Sequence, residues 1–260
     1  MLLVIDIGNT NIVGGVYEGD KLKHSLRIHT VTKKTEDEYA VIFNSLLLAR
    51  GIEPSDIGGC LISSVVPVLI RPICDMIRKL LKLEPVILGP ENYDYLPIQV
   101  INPHEIGSDI VADLIAAYAH FRQACIVVDF GTALTFSAIG DDGTIIGVSI
   151  APGLNTAVMA LSRDTAQLPS VELAAPPSAL GKNTVQSIQA GVVLGYAGLV
   201  ESMIRRIKAE IGEKAKVIAT GGLSGIIAPL TPCFDLVDQD LTLKGLAIAA
   251  ESIARKKNKV

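Results

Sequence analysis

No two of the four cysteines (Cys60, Cys74, Cys125, Cys233) form a Cys-x-x-Cys pair. Scattered singly, they read as small buried hydrophobes, and neither a disulfide framework nor a zinc site finds support. The four histidines show no zinc-like pairing either. An excess of charge is also missing: a net charge of -4 gives no electrostatic reason to expect nucleic acid as a partner. The chain starts Met-Leu-Leu-Val-Ile and then meets Asp6, too short a run for a signal peptide or a membrane span. Later apolar stretches are interrupted by Gly, Pro or charge, so no membrane partner is expected and a soluble, cytoplasmic protein is. No low-complexity linker divides the sequence.

What is present is a large apolar content, 49% against 19% charged residues, ample for a buried core and far from the composition of a disordered chain. An internal echo organises it. Residues 3–6 read as a strand, followed by a turn, a second strand over 12–17, the polar turn Glu18-Gly19-Asp20 and the start of a third strand. Residues 126–129, a Gly131-Thr132 turn, residues 134–139 and then Gly140-Asp141-Asp142-Gly143 repeat this order. The Gly/Asp clusters are hairpin signals. Asp6 and Asp129 take equivalent places, each at the end of an apolar strand with a Gly two residues on.

Helical spacing of apolar residues predicts helices over 36–50, 67–83, 109–121, 187–211 and 243–254, with short strands at 59–62, 85–88 and 217–220. Strands alternating with helices predict an α/β fold, and the repeated hairpin predicts two similar halves. The division is placed at residues 1–118 and 119–260.

Three polar or glycine-rich turns stand at strand ends. In Asp6-Ile7-Gly8-Asn9-Thr10-Asn11, Gly8 allows close approach of a ligand to the backbone, and Asn9, Thr10 and Asn11 carry donors suited to phosphate oxygens. Asp6 would hold Mg²⁺ through water, since that ion keeps several waters and takes few carboxylates. A plain Asn/Gly hairpin turn explains the same residues. Asp129-Phe130-Gly131-Thr132 repeats the arrangement, so the two loops would face one nucleotide, and Gly221-Gly222 would pack against an adenine. Neither a G-x-x-x-x-G-K-[ST] nor a G-x-G-x-x-G stretch occurs, which takes the main support from the P-loop and Rossmann alternatives. Gly107-Ser108-Asp109 opens a helix; Ser108 or Asp109 would cap it, and Asp113 shares a helical face with Asp109. Thr184 would cap the helix that follows it.

These residues together resemble the type III pantothenate kinases, of the acetate and sugar kinase/Hsp70/actin superfamily. The resemblance runs nearly end to end. It includes the Asp6–Asn11 loop, Ser63-Ser64-Val65-Val66-Pro67, Asn102-Pro103 with Gly107-Ser108-Asp109, and Asp129-Phe130-Gly131-Thr132-Ala133. Further on come Pro152-Gly153-Leu154, Thr165-Ala166-Gln167-Leu168-Pro169, Gly181-Lys182-Asn183-Thr184 and Ala219-Thr220-Gly221-Gly222.

The resemblance implies two ribonuclease H-like (actin-like ATPase) domains with a nucleotide cleft between them. It also implies ATP-dependent phosphorylation of pantothenate, the first step of coenzyme A synthesis. Asp6, Ile7, Gly8, Asn9, Thr10, Asn11 and Thr132 match ATP contacts, with Mg²⁺ held by Asp6 through water. Asp129 matches the ligand of a monovalent cation, K⁺ or NH₄⁺. Asp109 matches the general base, and Gly107, Ser108, Asp109 and Ile110 line the substrate. Thr184 matches a substrate contact supplied across a homodimer interface.

The sequence also departs from the family pattern. Ile110 stands where the family has Arg in Gly-x-Asp-Arg, Val100 where it has Tyr, and Asp113 where an uncharged residue is common. Leu134 replaces a Thr and Val148 a Gly. Losing an Arg and gaining an Asp would make the pocket about two charges more negative, against a substrate that is itself a carboxylate. A divergent paralogue acting on another small hydroxyl compound, or a non-enzymatic regulator that kept the fold, is the alternative.

Overall fold

Asp6 and Asp129 each occupy the next-to-last position of the central strand of a five-stranded sheet. A computed structural model describes residues 1–165 and 167–257 of the chain. Ala166 of the Thr165–Pro169 motif lies outside the described residues. The chain divides into two units, Met1–Ala116 with the segment from Leu241 onward, and Ala117–Asp240.

In the first unit, β1 (Leu2–Ile7), β2 (Asn11–Glu18), β3 (Lys21–His29), β4 (Gly59–Ser64) and β5 (Val86–Ile87) form a sheet in the order β3-β2-β1-β4-β5. The first three strands are antiparallel, and β4 and β5 continue parallel to β1. Helices α1 (Glu36–Leu48) and α2 (Pro67–Leu81) complete the core on it. Tyr39, Phe43 and Leu47 of α1 and Leu69, Ile73 and Met76 of α2 close over Leu3, Ile5 and Ile7. Each such side chain contributes about 1.5–3 kcal/mol of hydrophobic free energy. A capping box starts α1: Thr35 Oγ1 accepts from the Glu38 N–H, and the Thr35 N–H donates back to Glu38 Oε2 at 2.8 Å.

The second unit repeats this topology. After α3 (Ser108–Phe121), strands β6 (Cys125–Phe130), β7 (Ala133–Ile139), β8 (Ile145–Pro152), β9 (Lys216–Thr220) and β10 (Leu236–Val237) form a sheet in the order β10-β9-β6-β7-β8. Again three strands are antiparallel and two continue parallel. Even the irregularity repeats: the register shifts at the sixth residue of β2, Val16, and at the sixth of β7, Ala138. The echo in the sequence is therefore a repeat of the fold.

Between β8 and β9 lie α4 (Leu154–Asp164), α5 (Thr184–Gln189), a π-helical turn Ala190–Leu194 and α6 (Gly195–Ile211). The α4 helix escapes sequence patterning because only Leu154 and Val158 of it are buried. From Thr184 to Ile211 the helix is continuous, and by length and composition it would pass as a membrane span. This corrects the expectation that Gly, Pro or charge interrupts every apolar stretch before spanning length: Gly191, Gly195 and Gly198 lie inside the helix. Its Ile188, Val192, Val193, Val200 and Ile204 pack with β6 and β7 in the second core.

The last helices are the short α7 (Ser224–Ile227) and α8 (Leu241–Lys257). The division at 118/119 leaves α8 with the second half, whereas its contacts group it with the first unit. Two close approaches show why. A Cβ on Gly245 would overlap the Ala112 carbonyl of α3, and Leu243 reaches Gly15 of β2. The interval between β9 and α8 carries no signal in the sequence for such a return.

Candidate active site

The first loop is built from backbone hydrogen bonds and one threonine. Between β1 and β2 the Gly8 N–H donates to the Asn11 carbonyl at 3.0 Å. Thr30, just after β3, holds the loop from outside: its hydroxyl donates to the Gly8 carbonyl at 2.6 Å and its N–H to the Thr10 carbonyl at 2.9 Å. Ile7 is buried in the core, while Asn9 and Thr10 are exposed. Thr30 was not legible as a site residue, since an isolated Thr beyond a strand carries no motif.

Asp6 is reached through serines from the start of α3. The Ser63 hydroxyl donates to Asp6 Oδ1 at 3.0 Å, and Ser63 Oγ lies 2.9 Å from Ser108 Oγ. The Ser64 N–H donates to Ser108 Oγ at 3.2 Å. Ser63 is 0% and Ser108 7% exposed. Ser63 sits beside Asp6 because β1 and β4 pair in parallel with those residues in register. Ser108 lies within the first turn of α3, and its hydroxyl bonds β4.

Asp109 follows directly, half-buried. Its Oδ1 accepts from the Ile110 N–H at 2.8 Å and lies where a Cβ on Gly107 would be. Gly107 therefore leaves the room in which this carboxylate rests. Burial pushes the Asp109 pKa up, against the opposing pull of the backbone N–H groups. Tyr93, buried in the 3₁₀ turn Pro90–Tyr95, is pushed up to about 12 by burial and by the Asp109 charge. A carboxylate raised toward neutrality is a stronger proton acceptor than an ordinary one.

The second unit carries the matching acid. Asp129, half-buried, pairs in register with Thr220 of β9, as Asp6 pairs with Ser63. Glycines flank its carboxylate: a Cβ on Gly131 would stand 3.2 Å from Oδ2, and one on Gly221 would overlap Oδ1. Gly221 also has φ +86°, where an L side chain is strained. The Gly131-Thr132 turn is backed by the start of α4. The Thr132 carbonyl accepts from the Gly153 N–H at 3.2 Å and from the Thr156 hydroxyl at 2.9 Å. A Cβ on Gly153 would strike that carbonyl, which explains the Pro152-Gly153-Leu154 motif.

Among the described residues no three His, Cys, Asp or Glu side chains gather as a metal-binding group. A divalent ion at Asp6 would have one carboxylate, with waters and phosphates for the rest, a set that Mg²⁺ accepts. At Asp129 a carboxylate bordered by bare glycine backbone offers oxygen ligands only, which suits a hard cation.

A sequence profile of the type III pantothenate kinases matches residues 2–206. The chain belongs to that family. Its relative in Moorella thermoacetica, a type III pantothenate kinase, is 46% identical over 251 residues, which is 96% of this chain and 99% of that one. Two solved structures share the fold. The activator of the 2-hydroxyisocaproyl-CoA dehydratase from Clostridium difficile, with bound ADPNP, has a TM-score of 0.59 at 14% identity, over 100% of this chain and 97% of that chain. A ROK family glucokinase from Streptomyces griseus, in complex with glucose and AMPPNP, has a TM-score of 0.50 at 15% identity, over 96% and 98%. The expected two-domain, actin-like ATPase fold is the one found.

Within this kinase the first unit brings Asp6, Ser63 and Ser108 into one hydrogen-bonded group, with Asp109 next to Ser108. Asp129 and Thr132 belong to the second unit. Thr184 is exposed and does not cap α5. That cap is Asn183, whose Oδ1 accepts from the Gln186 N–H at 2.9 Å while Gln186 Oε1 accepts from the Lys182 N–H at 3.0 Å. Ile110 and Val100 are half-buried. Asp113 overturns its sequence reading: it is 4% exposed, and its Oδ1 accepts from the Thr242 hydroxyl of α8 at 2.7 Å. That carboxylate is used in joining α3 to α8. Leu134 is fully buried in the second core, and Val148 lies exposed on β8.

Proposed function

We propose that this kinase transfers the γ-phosphoryl group of ATP to the primary hydroxyl of pantothenate, giving 4'-phosphopantothenate and ADP at the entry to coenzyme A synthesis. The observation that carries the residue assignment is Asp109, a half-buried carboxylate with raised pKa resting on Gly107 at the head of α3. In this reading it takes the hydroxyl proton as the substrate oxygen bonds to phosphorus and the bond to ADP breaks. Such a base contributes about 10²–10⁴-fold; positioning and charge neutralisation supply the rest.

Asp6 through Asn11 and Thr132 would hold the ATP phosphates. Mg²⁺ would sit at Asp6 through water and neutralise phosphate charge. Asp129 would hold K⁺ or NH₄⁺. Gly107, Ser108, Asp109 and Ile110 are assigned to the pantothenate side, where Ser108 acts through its bonds to β4. Ile110 supplies apolar contact in place of an Arg's five donors.

A homodimer is part of this reading, with Thr184 reaching the partner's site. Ile146, Val148 and Ile150 leave one face of β8 apolar and exposed, Ile150 at 71%, and Met159 and Leu180 (84%) are exposed as well. A second copy of the chain is the occupant this reading assigns to such a surface. This reading assigns the protein to the cytoplasm.

The test is direct. Purified protein is given ATP, Mg²⁺, K⁺ and pantothenate, with ADP release and phosphopantothenate formation as readouts. ADP release with other hydroxylated acids or amides, and none with pantothenate, would replace this reading by the paralogue one. The family match, strong over nearly the whole chain, does not favour that alternative.

A further inference from the structure

The serines between Asp6 and α3 form a chain with only one possible direction. A carboxylate accepts and never donates, and a serine hydroxyl has a single proton. The Ser63 proton is given to Asp6 Oδ1. At the 2.9 Å contact between Ser63 Oγ and Ser108 Oγ the donor must then be Ser108. Ser108 Oγ in turn accepts from the Ser64 N–H. The order is Ser64 N–H to Ser108 O–H to Ser63 O–H to Asp6, with every proton used once.

We propose that Ser63 and Ser108 are positioning residues for phosphoryl transfer: their one-way hydroxyl chain orients Asp6 toward Mg·ATP and ties it to the helix turn that carries Asp109. The inference rests on the reading of Asp6 and Asp109 given above. Its physical content is that Ser108 reaches Asp6 only through Ser63. Both serines are buried, and Ser63 pairs in register with Asp6 of β1. Removing the Ser63 hydroxyl takes its donor away from Asp6 Oδ1, and removing the Ser108 hydroxyl leaves that donor without its own partner.

This makes the two serines non-additive toward the nucleotide, with the order of the chain setting which loss contains the other. Affinity for Mg·AMPPNP is measured by titration calorimetry for the wild type, S63A, S108A and S63A/S108A. A hydrogen bond to a charged group corresponds to roughly 10- to 150-fold and one between neutral groups to roughly 2- to 10-fold, so S63A is expected to bind weaker by a factor in the first range and S108A by one in the second. The double variant is expected to bind no weaker than S63A, and S108T, which keeps the hydroxyl, to stay within about 2-fold of wild type. Wild-type affinity in S108A, or losses that multiply in the double variant, would overturn the proposal. Should S63A fail to fold, S63C keeps the volume with a weak donor and must show an intermediate loss; wild-type affinity there overturns it equally. Pantothenate phosphorylation by the wild type is assayed alongside. A protein that binds Mg·AMPPNP but makes no phosphopantothenate sinks the kinase reading, while the hydroxyl chain is still decided by the four affinities.

Discussion

Thr242, in the first turn of α8, donates its hydroxyl to the carboxylate of Asp113 at 2.7 Å, and Asp113 is one helical turn beyond Asp109 on α3. Together with the approach of Gly245 to the Ala112 carbonyl, this fastens the end of the chain to the helix that carries the candidate base. A hydrogen bond to a charged group is worth about 1.5–3 kcal/mol. Thr242→Val should therefore lower stability by that amount in urea denaturation, with the KM for pantothenate unchanged. A large rise in KM without loss of stability would put Asp113 back in the substrate pocket.

The raised pKa of Asp109 has two consequences of fixed sign. As a base it works only when ionised, so kcat/KM should fall on the acid side with a midpoint above 3.8, the ordinary value for Asp. Folding also disfavours the charged form, so stability is lost as pH rises from 3.8 through the folded pKa. Asp109→Asn should accordingly unfold at a higher temperature than the wild type at pH 7 while losing activity. Calorimetric melting at pH 4 and pH 7 checks this; a variant less stable than wild type at pH 7 contradicts it.

Ile110 and Val100 stand where the family pattern has an Arg and a Tyr. Adding the guanidinium restores a cation for the substrate carboxylate, and close opposite charges near a protein surface interact by up to about 4 kcal/mol before desolvation. Ile110→Arg with Val100→Tyr should lower the KM for pantothenate by about 10-fold, equivalent to roughly 1.4 kcal/mol. Steady-state kinetics decides it; unchanged or raised KM would point to a substrate lacking the carboxylate.

The apolar face of β8 gives a separate expectation. Ile150→Asp places a charge in the assigned dimer surface, and the protein should sediment as a monomer where the wild type sediments as a dimer. Activity should fall with it, because Thr184 would no longer reach a partner. A dimer that survives Ile150→Asp places the interface on another surface.

Much of this was legible from patterning. The two hairpins, both strand-end acids and the helix after Ser108 follow from period-two and period-3.6 signals and glycine-rich turns. What stayed hidden depends on approaches between distant segments. Ser63 lies 57 positions from Asp6 and 45 from Ser108, and only parallel pairing of β1 with β4 makes them neighbours. The same holds for Asp113 and Thr242, 129 positions apart, which is why a carboxylate used in packing read as charge in a pocket. Thr184 read as a cap because hydroxyls favour that place, yet Asn183 took it, one residue earlier. Gly153 and Gly221 stood out only as parts of motifs, and the reason no other residue fits is the carbonyl or carboxylate that a Cβ there would meet.

The central claim is that Asp109 serves as the base for phosphorylation of pantothenate. Its most direct test is phosphopantothenate formation by the wild type and by Asp109→Asn under saturating ATP, Mg²⁺ and K⁺. The account predicts robust product from the wild type and a loss in kcat of about 10²–10⁴-fold in the variant, with Mg·AMPPNP affinity retained. Asp109→Asn turning over at the wild-type rate would contradict it.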